Sequence, residues 1–142
     1  MATVLKGIGA LVVALVVWMV VATVIHRMMC VVWPAYAVAT PLLNFTLPMK
    51  VARLSLGALC TLIAGAAARR LSSLRWLPFA LGCALLVLFL PEHYKLWSRF
   101  PAWYHLTFLG SLIPLALLGG RLPSARQTRE AHHAEEVRAA TR

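Results

Sequence analysis

Apolar residues run nearly unbroken through four stretches of this chain, at about 5–25, 48–68, 74–90 and 103–118. A bilayer's hydrocarbon core takes roughly 20 residues of helix to cross. The first two stretches meet that length, and the third and fourth approach it from the short side. The pattern predicts four transmembrane helices. Residues 69–75, RRLSSLR, make a turn short enough to set the second and third antiparallel. The expected fold is an all-α membrane protein, a four-helix antiparallel bundle with an interfacial segment and a short soluble C-terminal tail. The expected division is a transmembrane domain over 1–120 and a polar tail over 121–142.

Local signals refine each stretch. In the first, Gly7, Gly9, Ala10 and Ala14 permit close helix contact, and Trp18 lies mid-span. The run is too long for a signal-peptide core, and the Ala37-Val38-Ala39 triplet falls too far downstream to be its cleavage site, so the reading is an uncleaved anchor. In the second, Gly57, Thr61 and Gly65 recur every four residues and share one face, the best helix-packing surface in the chain. Thr46 and Pro48 suit its start as cap and first-turn proline, and Arg53 is placed to snorkel outward. Pro78 fits the first turn of the third, which Pro91 should end. Pro114 should kink the fourth, with Ser111 taking up a freed backbone group, and Gly119-Gly120 should end it.

Between the first two spans, residues 26–50 carry Pro34, Pro41 and Pro48 and are too apolar for a free loop in water. They are expected at the interface or as a re-entrant element. Residues 91–105, PEHYKLWSRFPAWYH, hold Tyr94, Trp97, Phe100, Trp103 and Tyr104, an aromatic belt at headgroup level, with a short interfacial helix ended by Pro101. In the tail, Ser124 and Gln127 match a capping box, and His132-His133 point in different directions on a helix.

Composition strengthens the membrane reading. The chain has 142 residues, is 61% hydrophobic and only 13% charged, too apolar for a soluble domain of this size. The net charge of +10 lies in short groups at span ends, which points to topology signals and anionic lipid, not nucleic acid. Lys6, Arg69, Arg70, Arg75, Arg121, Arg126 and Arg129 fall on one side, and Arg27, Lys50, Arg53, Lys95 and Arg99 on the other. The excess places both termini in the cytoplasm. The layout resembles small bacterial inner-membrane proteins with four spans, and no named family's motif is matched. Cys30, Cys60 and Cys83 form no redox dithiol or disulfide framework.

The candidate chemistry gathers on the far side, where His26, Arg27, Glu92, His93, Lys95, Arg99 and His105 share one depth. No pair of histidines there has a recognised ligand spacing, and no metal or other cofactor is expected. Glu92 is the only acid before residue 130. That excludes paired-carboxylate catalysis, a carboxylate magnesium site and an intramembrane carboxylate relay within one chain. Two main readings follow. One is a structural, assembly or accessory subunit that associates with membrane proteins or with itself. The other is binding or enzymatic handling of an anionic lipid or lipid-linked substrate at the outer interface. A channel or transporter subunit would require oligomers.

Overall fold

A computed structural model describes residues 2–72 and 74–122. Five helices follow one another: α1 Ala2–Val32, α2 Pro34–Leu42, α3 Leu47–Leu71, α4 Leu77–Lys95 and α5 Ala102–Arg121. α1, α3, α4 and α5 are long and apolar enough to cross a membrane, and they pack as an antiparallel bundle. The short α2 sits at one end, beside the C-terminus of α1 and the N-terminus of α3. The tail with Ser124, Gln127 and the two adjacent histidines lies outside the described residues.

Several boundaries differ from the sequence expectation. α1 does not stop near Ile25 but continues to Val32. Nothing in its sequence breaks a helix before Pro34, and Trp33, ahead of that proline, leaves helical geometry at φ −126°, ψ 85°. At 31 residues α1 is about 46 Å long, well beyond a hydrocarbon core of about 30 Å. The surplus carries His26, Arg27 and Cys30. Residues 26–50 thus split into the end of α1, the helix α2 with Pro34 in its first turn, and the start of α3. α2 ends at Leu43 in a left-handed conformation (φ 54°), with Leu43 N–H donating to Thr40 O and Asn44 N–H to Ala39 O. Thr46 holds the N-cap position of α3 without a side-chain capping bond.

α4 runs through Pro91 to Lys95, so the third span is 19 residues and not a truncated 15 to 17. The missing N–H costs one ladder bond, which the flanking turns absorb. Residues 91–105 are therefore the end of α4, a turn and the start of α5, with Pro101 as N-cap, and not a separate interfacial helix. In α5, Ser111 bonds the Phe108 carbonyl at 2.8 Å and not the Gly110 carbonyl that Pro114 frees.

α5 also continues past Gly119-Gly120 to Arg121. Gly119 has a packing reason instead. A Cβ there would strike the Leu62 backbone of α3, and one at Gly65 would strike the Ala116 carbonyl. These reciprocal contacts make α3–α5 the closest helix pair, as small residues permit in lipid. The Thr61 hydroxyl donates to Gly57 O one turn back on α3 (2.8 Å) and accepts from Trp18 Nε1 of α1 (3.1 Å). Two apolar clusters complete the interior. One joins Ala10, Ala14, Ala64, Leu81, Leu85 and Leu112 mid-bundle, and the other joins Tyr36, Phe45, Met49, Phe100 and Tyr104 under α2.

Candidate functional site

At the α2 end the helices part. A cleft of about 880 Å³ opens there, lined by α1 from Trp18 to Cys30, by α2, and by the facing parts of α3, α4 and α5. Its floor is aromatic and made by large side chains that prop the helices apart. Trp18 and Phe89 meet at 4.8 Å between centroids, and Phe89 and Phe108 edge-to-face at 5.3 Å. Phe108 also occupies the space over Gly57, where an added Cβ would lie 2.6 Å from its ring.

Above the floor the wall becomes polar. Arg53, one and a half turns into α3, turns inward and does not snorkel to the surface. Its Nη1 donates to the Tyr36 hydroxyl at 3.1 Å, its guanidinium lies 4.7 Å over the Phe45 ring, and the Tyr104 hydroxyl is a further polar neighbour. Its Nε is buried without a hydrogen-bond partner. The ion pair found among the described residues joins Lys95 to Glu92 (2.9 Å) at the exposed end of α4, so no carboxylate neutralises Arg53. A partly buried cation without a counter-ion is costly unless something else supplies negative charge.

Tyr36 links Arg53 to α1. Its hydroxyl lies 3.4 Å from His26 Nδ1, and His26 Nε2 lies 3.8 Å from Cys30 Sγ one turn on. Fully buried between Trp33 and Phe45, Tyr36 has its phenol pushed above the usual value by that burial, against an opposing pull from the Arg53 charge. It is therefore neutral and keeps a proton to donate.

The seven outer-face candidates divide. His26, Arg27, Glu92 and His93 line the cleft. His105 is fully buried behind the wall, with Nδ1 2.8 Å from His93 Nδ1, Trp97 stacked on its ring and Nε2 without a partner. Lys95 and Arg99 point away, Lys95 to Glu92 and Arg99 into solvent on the turn between α4 and α5. Among the described residues no group of three or more His, Cys, Asp or Glu is placed to hold a metal ion.

Arg53 and Tyr36 organise the wall and are not among the seven candidates, and Tyr104, expected in a belt at headgroup level, is buried against Phe100. One signal was available. Arg53 follows the apolar pair Val51-Ala52 within a span, where a charge is expensive and marks function by default.

No protein-family model, curated protein or solved structure matches this chain. Fold and composition define a small, all-helical, multi-span membrane protein.

Proposed function

We propose that the cleft binds an anionic amphiphile, with the charged head between Arg53 and Arg27 and apolar parts against Trp18, Phe89 and Phe108. One observation carries this reading: Arg53 faces a cleft large enough for a head group and, among the described residues, has no carboxylate partner. The cleft changes from aromatic at mid-bundle to cationic near the end, the polarity gradient of a lipid entering from one interface. Arg27 is exposed at the mouth, where it can meet a head group early. The charge bias along the chain favours the cytoplasm for the opposite end, which carries Arg69 and Arg70, and so an outer-facing cleft in a bacterial inner membrane.

A structural or assembly role is the second reading. α1 favours it: only 17% of its spanning window is buried in the bundle, leaving most of that helix to lipid or a partner. Native mass spectrometry from mild detergent separates the two. Under the binding reading, wild-type protein retains an anionic lipid and Arg53→Met loses at least roughly tenfold of it, as expected for one charge-assisted contact. Equal retention by both proteins, or retention of neutral lipids alone, contradicts the binding reading. A co-purifying membrane protein unaffected by Arg53→Met supports assembly.

A further inference from the structure

The hydrogen-bond chain on the cleft wall has a fixed direction. Arginine only donates. The Tyr36 oxygen therefore accepts from Arg53, and the single Tyr36 O–H goes to its other partner, His26 Nδ1. Tyr36 is fully buried, so an unused hydroxyl proton would be costly there. Neutral His26 then carries its own proton on Nε2. Among the described residues that N–H meets the Cys30 sulfur, 3.8 Å away. Sulfur is a weak acceptor, so an incoming oxygen displaces it at little cost.

We propose that His26 is a head-group donor, that Tyr36 is the positioning residue which fixes its tautomer, and that the head group is a phosphate. This rests on the binding reading of the cleft and deepens it. Arg53, Arg27 and His26 line one cleft from two helices. Two other polar side chains of the cleft already have partners: the Thr40 hydroxyl donates to the Tyr36 carbonyl at 2.8 Å, and Glu92 is held by Lys95. Two guanidinium forks and an imidazole N–H match the three or four oxygens of a tetrahedral phosphate better than the two coplanar oxygens of a carboxylate.

The test uses the full chain in nanodiscs, with ¹⁵N-labelled histidine for NMR and with dioleoyl phosphatidate, oleate and inorganic phosphate as probes. Wild-type His26 should show the Nε2–H tautomer, and phosphatidate should bind more tightly than oleate and shift the Nε2 resonance. Tyr36→Phe keeps the ring packing, checked by an unchanged Tm. It should mix the tautomers and weaken phosphatidate roughly tenfold, the scale of one hydrogen bond to a charged group. His26→Gln, whose amide N–H reaches the same place, should stay within about threefold of wild type, whereas His26→Leu should lose roughly tenfold. Displacement of phosphatidate by inorganic phosphate identifies the head alone as sufficient. Its failure to displace, with phosphatidate still bound, identifies a phosphate carried on lipid. An Nδ1–H tautomer in wild type, or a Tyr36→Phe affinity equal to wild type, overturns the role of His26. Oleate binding as tightly as phosphatidate overturns the phosphate assignment. Loss of binding in Arg53→Met alongside either result would leave the cleft reading standing, whereas an unaffected Arg53→Met would remove both.

Discussion

The two ends of this bundle are built on opposite principles. Toward the chain's N-terminus and the α3–α4 turn, glycines bring backbones together: Gly65 meets the Ala116 carbonyl, Gly119 meets Leu62, and Gly82 approaches the Ile113 Cα. Toward α2, Trp18, Phe89, Phe108 and Tyr36 hold the same helices apart and leave a cleft. In lipid no hydrophobic effect drives helices together, so close contact has to come from shape and from shared polar groups. A sequence can therefore set the spacing of one helix pair twice, tight at one end by small residues and wide at the other by large ones. The tight end holds the fold, and the wide end is free to carry the inward-facing charge of Arg53.

That contrast is broken most severely at the tight end. Gly65→Leu drives a side chain into the α5 backbone, which cannot rotate away as a side-chain tip could. The expected loss is about 3 kcal/mol, the upper part of the usual overpacking range. It should appear as a collapsed yield of monodisperse protein and an early unfolding transition in detergent. Gly110 is the control, since a Cβ there meets nothing within 4 Å. Gly110→Ala should leave the transition in place or raise it by up to about 1 kcal/mol through helix propensity. Equal damage from both variants would mean that glycine content and not the α3–α5 approach sets stability.

The boundary between the two ends gives a smaller effect. Thr61 ties α1 to α3 by accepting from Trp18 Nε1. Thr61→Val keeps the shape and removes the acceptor, leaving an indole N–H inside the bundle. A loss of about 1 kcal/mol is expected, near the average for a polar contact between membrane helices. Trp18→Phe in the Thr61→Val background should then cost little more, and a double-mutant cycle with no coupling would remove this bond from the account.

Much of the fold was legible because its causes are local. The four apolar runs and the arginine turn follow from the order of residues along the chain. The end of α1 was missed because His26, Arg27 and Cys30 look like a polar stop, yet no proline forbids helix until Pro34. The Gly119-Gly120 pair suggests a helix end, yet the neighbour that explains Gly119 is Leu62, far away in sequence. For the candidate cleft, spacing along the chain indicates only that its residues fall near one end of the spans. That His26 and His93 line a cleft while Arg99 faces solvent depends on how α1 rotates against α4, which no single-helix pattern encodes. Arg53 turns inward because Tyr36, seventeen residues away on another helix, offers an oxygen at the right height.

At the wide end the expectation reverses: function should break while the fold stands. Arg53→Met removes a partly buried charge that no carboxylate compensates among the described residues, so Tm should hold or rise slightly while lipid retention falls. A large drop in Tm would make Arg53 a structural residue and dissolve the contrast between the ends.

The smallest effect sharpens the electrostatics of the same wall. Burial raises the Tyr36 phenol, and Arg53 partly offsets the rise. A folded-state value above the unfolded one means that the stabilising contribution is complete below the ordinary phenol range. It is lost as pH climbs through the raised value. The ultraviolet titration of wild type minus Tyr36→Phe should thus show a phenol ionising above the roughly 10 of free tyrosine. Arg53→Met should move that step higher still, since it deletes the opposing charge and leaves the desolvation. A step that moves down, or does not move, would mean that the guanidinium does not act on this hydroxyl, and the chain from Arg53 through Tyr36 to His26 would lose its first link.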